Sequence, residues 1–165
     1  NETTRNLIGN CLYWLASNPD LYAAVRADRG LLSVLIEESL RLDSPVQILV
    51  REAVRPTDVP GERLETGDRV VLGIASANRD ETVYPEPDDF RLDRPRPRDH
   101  LAFGAGPHIC PGAALARTET MAVLEQMCDQ VAAFRLADDF VPQPNPVFWA
   151  AGHRSLPCLM EPAEA

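Results

Sequence analysis

Apolar residues in the first quarter of the chain recur at helical spacing. Leu7, Ile8, Cys11, Leu12 and Leu15 share one face, and Ser17-Asn18-Pro19-Asp20 then supplies a stop and a fresh cap, so the spacing predicts a helix ending near Ala16. A short helix from Pro19 to about Ala27 follows. Beyond Arg29-Gly30, the residues Leu31, Leu32, Leu35, Ile36 and Leu40 draw a third apolar stripe. Ser44-Pro45 closes it, because a residue preceding proline is driven out of helical geometry.

Downstream the texture changes. The β-like runs Val46 to Val54 and Arg69 to Leu72, punctuated by Pro56, Pro60-Gly61 and Gly67-Asp68, predict a small antiparallel sheet. From Tyr84 to Pro107 the prolines at 85, 87, 95, 97 and 107 and many charges fit neither period. This stretch either meanders over the surface and wraps a core or stays unordered. A long helix is expected from about Pro111 to Val131, and Val147 to Met160 reads as a hairpin turning at Ala151-Gly152. The chain has no internal repeat, and residues 1–165 are expected to form one unit, mainly α with small β-sheets (α+β).

Charge narrows the range of partners. Sixteen basic residues against 25 acidic ones give a net charge of −9, which argues against nucleic acid. Every basic residue is arginine. A planar guanidinium keeps its charge when buried, so some of the sixteen are candidates for pairing with carboxylates or with an anionic cofactor. Cys11, Cys110, Cys128 and Cys158 are widely spaced and form no Cys-x-x-Cys pair, which disfavours a zinc site or a disulfide framework. The longest apolar run, Val70 to Ala77, is far short of the ~20 residues that cross a bilayer. A cytoplasmic location is expected, with no membrane contact in the visible part. The opening in a helical pattern without methionine leaves room for a preceding segment.

The chemistry concentrates in Phe103-Gly104-Ala105-Gly106-Pro107-His108-Ile109-Cys110-Pro111-Gly112, just ahead of the long predicted helix. Gly104 and Gly106 carry no Cβ, so backbone at these positions can lie against a flat ring. Cys110 stands at the helix entrance, where free amides and the positive end of the helix dipole can support negative charge on its sulfur. Those amides can also hydrogen-bond a sulfur ligand and tune a bound iron. A second feature is Glu38-Ser39-Leu40-Arg41, whose three-residue spacing puts acid and arginine on one helix face.

The ten residues from Phe103 to Gly112 match Phe-Gly-x-Gly-x-His-x-Cys-x-Gly at every defined place, and in this they resemble the haem-binding loop of the cytochrome P-450 family. The resemblance implies that Cys110 is the axial ligand of the iron of haem b (iron protoporphyrin IX). It also implies that His108 contacts a haem propionate and that Phe103 shields the ligand loop. Gly104, Gly106 and Gly112 are the loop's small positions. Glu38 and Arg41 resemble the family's Glu-x-x-Arg, and Phe90-Arg91-Leu92-Asp93-Arg94 resembles its meander, with Arg94 the candidate third member of a buried network. Pro45 to Arg51 resembles the strand passing the haem edge, so Arg51 would pair with a propionate while Val46, Gln47, Ile48 and Leu49 face substrate. The turn around Phe148, Trp149 and Ala150 resembles a second substrate-facing hairpin, with an apolar core role as its rival.

Asn1-Glu2-Thr3-Thr4 resembles the end of the distal-face helix motif. Glu2 and Thr3 would then be the acid and alcohol of the proton relay, with Thr4 as the off-by-one alternative and helix capping as the plain structural reading. The resemblance spans the chain but only about the last two fifths of a family member, so the fold implied is the C-terminal portion of that fold, a partial haem-binding domain. For the complete protein it implies a monooxygenase acting on a small apolar organic substrate. Electrons would come from a ferredoxin-like or flavin-containing reductase, docking near Arg96, Arg98 and Arg117. The alternatives are a non-catalytic truncated haem-binding remnant and a peroxide-using relative.

Overall fold

The computed structural model describes residues 1–163. Helices α1 (Glu2–Ser17), α2 (Pro19–Ala27) and α3 (Leu31–Leu42) follow the three apolar stripes. Their buried faces meet in one core: Leu7, Cys11 and Leu15 from α1, Tyr22 and Val25 from α2, and Leu32, Leu35, Ile36 and Leu40 from α3. Fully burying such a side chain contributes about 1.5–3 kcal/mol, which is why the stripes dictate the packing.

The region after Pro45 forms two sheets where one was expected. Strand β1 (Ile48–Glu52) pairs antiparallel with β4 (Arg69–Gly73), in register Arg51 opposite Val70. Between them, β2 (Thr57–Val59) and β3 (Glu62–Leu64) make a separate hairpin. Its turn contains Gly61 at φ +84°, a left-handed geometry that costs other residues roughly 1–2 kcal/mol. A one-turn helix, α4 (Ile74–Ala77), follows β4, and from Asn78 to Ala105 the backbone carries neither helix nor strand.

Helix α5 (Ala113–Gln130) enters the core with Leu124 and Cys128. Its end is built by α2. The Tyr22 hydroxyl donates to the carbonyls of Met127 (3.1 Å) and Val131 (2.8 Å), while Arg26 donates to those of Cys128 (3.1 Å) and Ala132 (2.9 Å). The Cys128 carbonyl lies in the final turn, where carbonyls lack partners within their own helix, so Arg26 stands in for a missing donor there, and the remaining bonds fix the crossing from α5 into the next strand. The chain then turns directly into β5 (Val131–Leu136), which pairs antiparallel with β6 (Cys158–Pro162).

The tail differs from the expected hairpin. Its turn lies at Val147–Ala150, where the Ala150 amide donates to the Val147 carbonyl, and not at Ala151-Gly152. The arms close through a bridge between Pro144 and His153. Gly152 is needed for close approach instead: a Cβ there would lie 2.7 Å from the Asn6 side chain of α1. Asn145 Nδ2 donates to Asn6 Oδ1 across the same junction, His153 stacks on Tyr13, and Val46 bridges Ala150.

Candidate functional site

The glycine-rich segment folds as a loop leading into α5. The Cys110 amide donates to the Phe103 carbonyl (2.9 Å), which closes the loop, and Gly106–His108 makes one 3-10 turn inside it. Gly104 and Gly106 sit at φ +73° and +69°. At Gly106 an added Cβ would meet open space, so the turn requires glycine for its backbone conformation and not for lack of room. Cys110 lies just before Gly112, the residue that caps α5, and a Cβ on Gly112 would lie 3.8 Å from the Cys110 sulfur. The sulfur is therefore curled toward the helix entrance.

A cavity of about 490 Å³ opens beside this loop. Phe103, Gly104, Ala105, His108, Cys110 and Gly112 line it. Thr3, Thr4 and Leu7 of α1, Leu40 of α3, and Val46, Leu49, Arg51 and Ile74 also line it. Both threonines face the cavity, whereas Glu2 is exposed and pairs with Arg5 at 3.6 Å, outside the lining. Of the four consecutive residues expected to face substrate, Val46 and Leu49 line the cavity but Gln47 and Ile48 do not. Gln47 Nε2 donates to the Ser44 carbonyl (2.6 Å) instead. Trp149 and Ala150 also lie outside the lining; Ala150 is buried and bridges Val46.

On α3, Glu38 and Arg41 are each about 1% exposed and form a two-pronged ion pair. Arg41 Nε donates to Oε2 at 2.9 Å and Nη2 to Oε1 at 2.8 Å. The other Arg41 donors reach the carbonyls of Asn78, Pro87 and Asp89, so all five N–H groups have acceptors. Arg94 Nε donates to Glu38 Oε1 (2.8 Å) and its two amino groups bond the carbonyls of Pro85, Glu86 and Asp89. Two guanidinium groups thus satisfy the carbonyls of a segment that has no secondary structure of its own. Burial alone would raise the Glu38 carboxyl, but hydrogen bonds from Arg41, Arg94 and the Arg91 amide bring it below the usual carboxylate range.

Three residues gave no signal in the sequence. Asn78, fully buried, donates to Ser44 Oγ and accepts the Leu101 amide (2.7 Å), tying the end of α3 to the approach to the loop. Glu37, next to Glu38, points elsewhere: Arg117 donates to both its oxygens (2.6 and 2.8 Å) and His100 Nε2 lies 2.9 Å away. His100 Nδ1 accepts the Ala102 amide, so the ring proton sits on Nε2 and is donated to Glu37. Burial would raise the Glu37 carboxyl, yet hydrogen bonds from His100 and Arg117, with the Arg117 charge, hold it at about 2. This corrects the reading of Arg117 as a docking contact, since its guanidinium is committed to Glu37 and lies 4.5 Å from the Phe103 ring centre. Arg98 is largely exposed, 3.4 Å from Glu37, and Arg96 pairs with Asp99.

A cysteine-bearing glycine loop lining an apolar cavity, together with a buried Glu-x-x-Arg pair, defines a haem-thiolate class of site. The family model for cytochrome P450 matches residues 1–146, and the chain belongs to that family. It is 38% identical over 162 residues to the steroid C26-monooxygenase of Mycolicibacterium smegmatis, covering 98% of this chain and 40% of that protein. Against the biotin biosynthesis cytochrome P450 of Bacillus subtilis it is 34% identical, over 97% of this chain and 40% of the other. The substrate-free structure of cytochrome P450 CYP150A6 from Mycobacterium marinum superposes with a TM-score of 0.94 at 36% identity, covering 99% of this chain and 42% of that one. The chain spans about a third to two fifths of the length of the curated relatives it matches.

The family carries haem b, and the residues here fit it. A haem iron takes a single thiolate from the protein at one axial position, and Cys110, exposed and lining the cavity, offers one. His108 and Arg51 both line the cavity and offer polar donors suited to propionates. No helix among the described residues is long and apolar enough to cross a membrane.

Proposed function

We propose that these residues form the C-terminal part of the haem-binding domain of a monooxygenase in which Cys110 is the axial thiolate. The observation that carries this reading is the Cys110 loop, closed by its bond to Phe103 and opening on a cavity that Thr3 and Thr4 share. When bound, haem supplies dioxygen activation driven by electron donation from the sulfur. The chain's part is to seat Cys110 at the entrance of α5, exclude water with Phe103, and hold propionates with His108 and Arg51. Thr3 is assigned as the hydroxyl of the proton relay, and Thr4, which lines the same cavity, is its direct competitor; Glu2, paired with Arg5 outside the lining, is not placed to serve as the acid. Leu7, Leu40, Val46, Leu49 and Ile74 make the visible walls apolar, which supports a small apolar organic substrate. The steroid named for one relative is of that kind. A ferredoxin-like or flavin-containing reductase supplies the electrons, and Arg96 and Arg98 remain its exposed candidate contacts.

Cys110→Ser in the complete protein tests the reading. The variant is expected to lose the strongly red-shifted Soret band of the CO-bound ferrous form; retention of that band, with loss in Cys128→Ser or Cys158→Ser, overturns it. Thr3→Ala should leave haem binding intact and divert reducing equivalents to peroxide. If only Thr4→Ala does so, the alcohol moves by one position.

A further inference from the structure

Glu37 sits on α3, remote in sequence from the ligand loop, yet its partners bracket it. His100 precedes the glycine-rich segment and Arg117 lies in the second turn of the helix that follows it. One carboxylate therefore grips the strand of chain entering the loop and the helix leaving it. Both partners also touch the same ring. The Arg117 guanidinium lies over Phe103 at 4.5 Å, and the His100 ring lies against it at 6.1 Å. The Phe103 carbonyl in turn accepts the Cys110 amide, so only two residues, Arg117 or His100 and then Phe103, stand between Glu37 and the ligand residue.

The Glu37–Arg117 pair is built as a directional contact. The Glu37 side chain is 4% exposed and the Arg117 side chain 25%, so the pair is partly desolvated and its geometry two-pronged. Glu38 is bonded by the Arg91 amide and Arg94, whereas Glu37 is bonded by His100 and Arg117, so two neighbouring carboxylates serve separate parts of the molecule.

We propose that Glu37 is a positioning residue for the cysteine ligand: it fixes both flanks of the loop and, through His100 and Arg117, holds Phe103 against the backbone of Cys110. The inference rests on the reading of Cys110 as the thiolate ligand. Without the clamp the bond between Cys110 and Phe103 can still close the loop, but the two flanks are free to shift and the Cys110 side chain with them.

The test uses the haem-loaded complete protein. Glu37→Gln keeps the volume and removes the charge, Arg117→Leu removes the other half of the clamp, and the two are combined. The readout is the rate at which the CO-bound ferrous form passes from its thiolate spectrum to that of the protonated thiol, followed alongside the melting temperature. Each single variant is expected to convert at least about tenfold faster than the parent. The double variant should be no faster than either single one, because groups acting through one shared contact are not additive. A lower melting temperature with an unchanged conversion rate overturns the proposal, as does a double variant whose effects multiply. If Glu37→Gln does not fold, Arg117→Lys serves in its place, since a point charge cannot reproduce the two-pronged bond; conversion at the parental rate there also overturns it. Loss of the thiolate spectrum from all variants and parent alike refutes the ligand assignment, and is thereby distinct from failure of the clamp.

Discussion

Glu37 and Glu38 are adjacent on one helix, equally buried, and charged, but they organise different parts of the molecule. Glu38 works through Arg41 and Arg94 on backbone carbonyls, converting an irregular segment into a fixed platform. Glu37 works through Arg117 and His100 on the two flanks of the ligand loop and on one aromatic ring. The first network is sealed, with side chains 1–6% exposed, whereas the second opens toward solvent through Arg117 and Arg98. The difference teaches that a sealed network sets whether the platform exists, while a half-open one sets how accurately the loop rests on it.

The largest effect is expected at Glu38. Glu38→Ala strands two buried guanidinium groups, a loss of roughly 3–5 kcal/mol, which is a large share of the ~5–15 kcal/mol that keeps a domain folded. The complete protein should be recovered misfolded or without haem; a variant that melts within a degree or two of its parent would erase the distinction between the networks.

Acid should expose Glu37 next. Its carboxyl, held at about 2 against an ordinary 4.5, contributes stability that is fully present above about pH 4.5 and is lost as the pH falls toward 2. At about 1.4 kcal/mol per pKa unit this is roughly 3 kcal/mol. Denaturant titrations from pH 6 to pH 3 should therefore fall more steeply for the parent than for Glu37→Gln, and parallel curves would show that the Arg117 and His100 contacts are weak in solution.

Arg41→Lys comes below these. It keeps the charge but has three donors where five are used, so about 2 kcal/mol is expected to go with the lost carbonyl bonds. Thermal melts of this variant beside Arg117→Lys compare the sealed fork with the half-open one directly. The smallest effect belongs to Arg98→Ala. At 3.4 Å from Glu37 but 72% exposed, it should change stability by less than about 1 kcal/mol. A larger loss by chemical denaturation would mean that the Glu37 network is more enclosed than its geometry implies.

The comparison also explains what was legible in the sequence. Helices α1 to α3 are readable because each buries one stripe at helical period, and Glu38 with Arg41 is readable because three residues on a helix make neighbours. Glu37 is not, since two consecutive acids look like a solvated face and its partners lie 63 and 80 residues away. Strand β5 escapes for a related reason. Val131-Ala132-Ala133-Phe134 continues a helical composition, and only the Tyr22 and Arg26 caps and the pairing with β6 make it extended. The β2–β3 hairpin is almost wholly exposed, so it shows no alternation for a period to detect. The glycine loop is legible as a motif, but Phe103's contacts are not, because they depend on where α5 and α3 lie.

The seating of the tail on α1 bears on how the molecule is made. Asn145 bonds Asn6 across 139 residues, and the Gln47 amide donates to the Trp149 carbonyl while the Ala151 amide donates to that of Pro45. A ribosome extends the chain in one direction, so the outer side of α1 and the lead-in to β1 stay uncovered until residues 145–153 have cleared the exit tunnel. Until then the cavity wall that carries Val46 lacks its backing from Ala150. Synthesis at about 5–20 residues per second leaves this surface open for seconds, the interval in which chaperones compete with aggregation for a nascent chain.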